Sequence, residues 1–174
     1  MKVSKCYILM RIFTLFLIVI AFSRISQVRF NYTPSMPVGF YIGNIYTNIH
    51  PQDIVAVCLP LSINVYGLKR SYLLHGHCPG GAISVLKTVI AVPGDTIQLT
   101  NQAILVNGIY YFAPYQAIDH AGRHTKKFVL NGTYHSTGYW LYGSNDFIHS
   151  WDSRYYGPVS RENIIGVYRP LITF

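Results

Sequence analysis

The chain has 174 residues, of which 51% are apolar, 15% aromatic and only 11% charged, with a formal net charge of +8. That is too apolar and too poor in charge for a disordered segment, and it leaves room for one compact domain of about 145 residues behind a short leader. Lys2, Lys5, Arg11, Arg24 and Arg29 sit at the amino end with no acid before Asp53, so residues 31–174 carry nine cations against six acids, a balance of +3 that is too small and too scattered for a nucleic-acid surface.

Cys6–Phe22 reads CYILMRIFTLFLIVIAF, 17 residues whose one charge, Arg11, lies near the amino end where its stem can snorkel. This is the lower limit for a membrane-spanning helix. Lys2, Lys5 and Arg11 outnumber Arg24 and Arg29, which orients the amino terminus to the cytoplasm and the domain to the far side. A cleavable signal peptide is the competing reading, with Ile12–Phe22 as its apolar stretch and Ala21-Phe22-Ser23 as its cleavage pattern. Either way the domain leaves the cytoplasm, where Cys58 and Cys78 either pair across a short loop or stay as two buried thiols. The expected organisation is an anchor or signal sequence over residues 1–30 and a β-rich domain over residues 31–174.

Asn31–Tyr41, NYTPSMPVGFY, holds two prolines and a glycine, which exclude a helix and predict a stiff extended segment. Strand-length apolar runs follow at Phe40–Tyr46, Ile54–Leu59, Ile83–Val92, Thr96–Leu99, Ile104–Val106, Ile109–Phe112, Trp140–Tyr142 and Ile164–Tyr168. Pro93-Gly94-Asp95 marks a turn, and Asn107-Gly108 between ILV and IYY marks a tight type I′ hairpin. No window after residue 30 keeps a 3.6-residue period through three turns. The fold class is therefore mainly β and antiparallel, with an irregular insertion from about Ala113 to Gly138.

Two residues stand out chemically. Lys87 interrupts VLKTVIAV, Val85–Val92, a run apolar on both faces of a strand; such strands are buried, and desolvation lowers a lysine pKa toward the range of a usable base. The ordinary alternative is an edge lysine reaching into water. Ser35, between Pro34 and Pro37, sits on a non-helical stretch, and a serine hydroxyl becomes a nucleophile when a neighbouring base takes its proton. Its ordinary alternative is a turn serine.

Asn31, Thr33, Ser35, Pro37, Gly39 and Tyr41 form N-x-T-x-S-x-P-x-G-x-Y, which resembles the nucleophile box of conjugative-transfer signal peptidases, the TraF type of the signal peptidase I superfamily. Cys78-Pro79-Gly80-Gly81, Val85-Leu86-Lys87 and AVPGD (Ala91–Asp95) are similar to that family's lysine box. Ser150-Trp151-Asp152-Ser153-Arg154, followed by Gly157-Pro158-Val159 and Ile165-Gly166, resembles its carboxy-terminal box. The segments occur in family order across nearly the whole chain. Gly143-Ser144-Asn145-Asp146-Phe147 departs from the G-D-N-R stretch of general signal peptidases, and Gly39-Phe40-Tyr41 departs from their first box, so both point to the conjugative branch.

The resemblance implies a signal-peptidase-like antiparallel β domain with an N-terminal membrane helix, held in the bacterial inner membrane with its catalytic part on the periplasmic side. It implies a serine endopeptidase that processes an exported precursor, in conjugation systems a pilin subunit, with hydrolysis or cyclisation as the outcome. Ser35 would be the nucleophile and Lys87 its base; the Ser35 N–H, with Thr33 as a candidate second donor, would hold the oxyanion. Ser150 would orient Lys87, and Asp152 would supply nearby negative charge while pairing with Arg154. For Thr33 the alternative is a cap on the extended segment, and for Asp152-Ser153-Arg154 a polar turn with a surface ion pair. The expected partners are a precursor polypeptide, membrane lipid and components of a conjugation or type IV secretion apparatus; neither cofactor, metal nor nucleic acid is expected. A general signal peptidase, or an envelope or pilus-assembly module that kept the fold without the chemistry, are the competing readings. A metal site at His75, His77 and Cys78 or at His120 and His124 is weaker, with neither HExxH nor paired CxxC beside it.

Overall fold

The computed structural model describes residues 5–25, 27–44, 48–146 and 148–174, apart from the side chains at 5, 6, 21, 23–25 and 27. Lys2, the end of the Phe40–Tyr46 run, and the side chains of Lys5, Arg24, Ala21 and Ser23 therefore lie outside the described residues. Helix α1 spans Lys5–Ile25, and its side chains from Tyr7 to Ile20 are exposed. Among the described residues no helix is long and apolar enough to cross a membrane. The expected membrane helix is therefore not supported among the described residues.

The remaining elements are β1 (Gln27–Asn31), β2 (Gly39–Asn44), β3 (Ile54–Val57), α2 (Leu61–Lys69), β4 (His75–Cys78), β5 (Val85–Ala91), β6 (Thr96–Leu99), β7 (Ala103–Val106), β8 (Ile109–Phe112), β9 (Gly132–His135), β10 (Trp140–Tyr142), α3 (Ser153–Tyr156) and β11 (Ile164–Thr173). A six-stranded sheet has the order β1-β2-β11-β3-β5-β10, and a four-stranded sheet the order β8-β7-β6-β9. Every paired neighbour is antiparallel. Asn107 and Gly108 take positive φ values of 49° and 85°, as the type I′ turn between β7 and β8 demands.

β5 lies between β3 and β10 and is buried on both faces, which is why its sequence does not alternate. Val89 packs with Val55, Val57 and Leu141 on one face, while Leu86 on the other packs with Met36, Tyr41, Ala56 and Tyr168. Ile90 and Trp140 join the sheets by packing with Ile97, Leu99 and Ile104. Cys58, just past β3, is disulfide-bonded to Cys78 at the end of β4, with Cα atoms 5.3 Å apart, and the bridge closes the loop that carries α2.

Three elements lack the apolar pattern that sequence reading relies on. The buried stripe of α2 is Ile63, Asn64 and Gly67; Asn64 Nδ2 donates to the carbonyls of Leu59 (2.7 Å) and Pro79 (2.9 Å), so an inward polar residue and a glycine mask the helical period. β1 inverts the usual alternation, with Val28 and Phe30 outward, Asn31 buried, and Arg29 Nε donating to the Tyr168 hydroxyl at 2.9 Å. β9, inside the insertion expected to be irregular, is a mostly exposed strand paired to β6. β11 also runs beyond Tyr168, where exposed residues up to Thr173 pair with β2 through an irregularity between Pro170 and Ile172.

Candidate active site

The Asn31–Tyr41 segment turns tightly at Thr33–Met36 rather than running extended. The cause is Asn31, whose Nδ2 lies 2.9 Å from the carbonyl oxygen of Thr33, 3.0 Å from that of Met36 and 3.1 Å from that of Pro37. Three carbonyls gathered on one buried amide fold the chain back, and buried Met36 anchors the turn from below. The Tyr41 hydroxyl, from β2, donates to Pro37 O at 2.7 Å. Ser35 stands at the apex, half-buried, its Oγ 3.5 Å from Thr33 Oγ1. Thr33 Oγ1 gives its proton to Asn31 Oδ1 at 2.9 Å, so in this state its hydrogen is not free for an oxyanion.

Lys87 lies on β5, in register with Val55, and is 3% exposed. Its ammonium donates to Ser150 Oγ at 2.7 Å, and no hydrogen bond joins it to Ser35 among the described residues. Burial lowers the Lys87 pKa from 10.5 to about 8; Asp152 and Asp146 oppose the shift and Arg154 reinforces it. An amine with that pKa exchanges a proton near neutrality.

Ser150 reaches Lys87 because the residue after β10 is Gly143. A Cβ there would lie 2.1 Å from Ser150 Oγ and 2.4 Å from Ser150 Cβ, closer than atoms can approach. Asp152 fixes this glycine by accepting from Gly143 N–H at 3.2 Å. Asp152 is held in turn by Arg154, whose Nε and Nη2 each donate to a different carboxylate oxygen at 2.9 Å, while Arg154 Nη1 donates to Pro114 O at 2.9 Å. Both side chains are fully buried, so the surface-turn alternative does not describe them. Ser153 Oγ accepts from Leu141 N–H at 2.7 Å and ties α3 to β10.

Ser35, Lys87 and Ser150 line one cavity of about 450 Å³, together with Thr33, Val85, Trp151, Asp119, His120, Asp146 and His149 among others. That is the scale of a ligand site. Its far wall includes His120, half of the weak metal alternative, and Asp146, from the stretch that departs from general signal peptidases; Asp119 and His149 join them there. Asp119 accepts from the Tyr72 hydroxyl at 2.7 Å and from Arg123 Nε at 2.9 Å, joining the loop after α2 to the insertion. His149 Nδ1 lies 3.0 Å from both Asp146 oxygens, and its ring packs against that of His120 at a tilt of 44°, with centroids 4.6 Å apart. For Asp119 and His149, the polar run Gly143–Asp146 directly after a fully buried strand is the nearest sequence signal. The His75, His77 and Cys78 set is not a ligand cluster, since Cys78 is in the disulfide; among the described residues no group of three metal-type ligands forms.

Comparison with known proteins gives a concordant assignment. The family described as signal peptidase, peptidase S26, matches residues 1–172. The chain is 30% identical over 152 residues to the conjugal transfer protein TraF of Agrobacterium fabrum (strain C58 / ATCC 33970), covering 86% of this chain and 85% of that protein. It is 31% identical over 155 residues to a plasmid transfer protein TraF of Escherichia coli, again covering 86% and 85%. A crystal structure of a signal peptidase I from Enterococcus faecalis V583 aligns with a TM-score of 0.39 at 21% identity, covering 70% of this chain and 97% of that one. With the family match running almost end to end and TraF proteins related over most of its length, the chain belongs to the signal peptidase family, peptidase S26.

Proposed function

We propose that this protein is a serine endopeptidase in which Ser35 attacks the scissile carbonyl and Lys87 serves as general base and then general acid. The observation that carries the reading is the shared cavity: a hydroxyl at a turn apex and a buried amine of lowered pKa, aligned by Ser150, open onto the same space. Neutral Lys87 takes the Ser35 proton as Oγ adds to the carbonyl, and returns it to the departing amine as the C–N bond breaks. The product is a Ser35 ester. The Ser35 N–H would hold the oxyanion, and Thr33 would join it by turning its hydroxyl away from Asn31. Ser150 positions Lys87, while Asp152 and Arg154 shape the loop that presents Ser150.

The relatives named for conjugal and plasmid transfer favour a conjugation context over general secretion, and the substrate in this proposal is an exported pilin precursor. Hydrolysis transfers the acyl group to water; transfer to a chain's own amino terminus would cyclise it, with the same atoms leaving Ser35 in either case. We include membrane attachment in the proposal. The α1 backbone is helical for 21 residues, about 32 Å at ~1.5 Å per residue, and its exposed apolar side chains are not confined to one face. An all-round apolar helix suits lipid on every side better than a one-sided interface. The domain would then lie on the periplasmic side of the inner membrane.

The test is co-expression with a candidate pilin precursor. Processing should stop in both Ser35→Ala and Lys87→Ala, and unchanged processing in both would sink the dyad. The wild-type rate should rise with pH and level off above about 8, the pKa to which burial brings Lys87. Protease added to intact spheroplasts should degrade the domain; protection would overturn the topology.

A further inference from the structure

Pro34 C=O and Ser35 N–H belong to one planar peptide unit, and with no cis bond in the described chain they point in opposite directions. Whatever grips the carbonyl therefore aims the N–H. Pro34 O accepts twice from the loop after β10, from Asp146 N–H at 3.1 Å and from Asn145 Nδ2 at 3.0 Å. Ser35 O accepts from Asn145 N–H at 3.2 Å. The Ser35 N–H itself donates to nothing among the described residues, so it is a free donor beside the cavity.

We propose that Asn145 is a positioning residue for acyl transfer: its side-chain amide, by donating to Pro34 O, polarises the Pro34–Ser35 peptide and aims the Ser35 N–H at the oxygen of the scissile carbonyl. This rests on the reading of Ser35 as nucleophile. A donor on an amide oxygen draws density from the amide nitrogen and strengthens its N–H, by about 10–30% per bond in hydrogen-bonded chains. The gain is felt where charge develops, on the tetrahedral intermediate, and hardly at all by a bound but unreacted carbonyl.

The loop does not depend on this side chain for its shape. Asp146 Oδ1 accepts from His149 N–H at 3.3 Å, its two oxygens pair with His149 Nδ1, and His149 packs against His120 from the insertion. The two backbone donors to Pro34 O and Ser35 O thus keep their frame when Asn145 changes. Asn145 is exposed and has Pro34 O as its one side-chain partner among the described residues, so its removal uncovers no core. A role in catalysis and a role in folding are therefore separable.

The experiment compares full-length wild type, Asn145→Ala, Asn145→Asp and Ser35→Ala in detergent micelles. Two probes are used: p-nitrophenyl acetate, which acylates Ser35 with almost no binding contacts, and a pilin precursor that the wild type processes. Deleting an oxyanion donor outright costs about 10²–10³ in rate, so weakening one should slow acylation and lower kcat about tenfold in Asn145→Ala, with KM within about twofold. Asn145→Asp keeps the shape, loses the donor and adds a negative charge, so it should be slower still. The melting temperatures of both variants should match wild type. A wild-type kcat in Asn145→Ala, or a loss confined to KM, overturns the proposal while leaving the nucleophile reading intact if Ser35→Ala is inactive. Full activity in Ser35→Ala overturns both.

Discussion

Replacing Lys87 by Met keeps the volume of the side chain and removes its amine, so it isolates what the buried charge does to stability. Burial brings the Lys87 pKa from 10.5 to about 8, a depression worth about 3 kcal/mol at ~1.36 kcal/mol per pH unit. The folded chain holds the proton less tightly than the unfolded chain does. Stability is therefore reduced by the full amount below about pH 8 and recovers as pH rises toward 10.5, where the unfolded chain alone is still protonated. Met lacks that recovery. It also leaves Ser150 without the 2.7 Å donor from Lys87, at a cost of about 1–2 kcal/mol. Lys87→Met should thus be more stable than wild type by about 1–2 kcal/mol at pH 6–7 and less stable by a similar amount near pH 10.5. Urea unfolding of both proteins by tryptophan fluorescence across that range measures the difference, in which all other titrations cancel. Parallel curves without a crossing would refute the claim that Lys87 is buried as a depressed base.

Other substitutions probe the surroundings. Gly143→Ala places a methyl 2.1 Å from Ser150 Oγ and should displace Ser150 from Lys87, lowering processing about 100-fold and stability by about 2 kcal/mol; precursor cleavage and urea unfolding report the two effects. Cys58→Ser opens the Cys58–Cys78 bridge, whose residues are 20 apart in sequence, and should cost about 3 kcal/mol by denaturant titration. Activity per folded molecule should persist, since neither sulfur lines the cavity. Asp152→Asn leaves the Arg154 charge buried without its partner, a loss of about 3–5 kcal/mol in urea unfolding. It also removes the charge that raises the Lys87 pKa, so the rate plateau should begin at lower pH, seen directly in the pH–rate profile.

What could be read from sequence follows from which physical signals act locally. β6, β7 and β10 are visible because their apolar residues sit on buried faces, and β5 because burial on both sides makes it continuously apolar. α2 was not visible, because its buried stripe carries Asn64, whose hydrogen bonds reach Leu59 and Pro79 outside the helix. The turn at Ser35 was read as stiff but extended: two prolines limit the backbone locally, whereas the fold-back comes from Asn31 gathering three carbonyls. The far wall of the cavity is not legible as a wall for the same reason. Asp119 with Tyr72, and His149 with His120, meet only after α2 and the insertion have packed together.

The Lys87 environment shows why burial read from sequence has the right sign even though other charged and polar residues lie nearby. Asp152 raises the Lys87 pKa and Arg154 lowers it, yet the two are joined to each other by two 2.9 Å hydrogen bonds. A bidentate pair presents little net charge to a third group, so their fields oppose and largely cancel at the amine. Asp146 also raises the Lys87 pKa, as the last and smallest of these influences. Ser150 contributes a neutral acceptor, which orients the ammonium without adding charge. With the Asp152–Arg154 pair internally neutralised, desolvation by β3, β5 and β10 is the largest influence and decides the direction of the shift, and that desolvation is written in the apolar run Val85–Val92. A lone carboxylate in place of the Asp152–Arg154 pair would have opposed that shift, and the same sequence run would then have been a poorer guide to the chemistry.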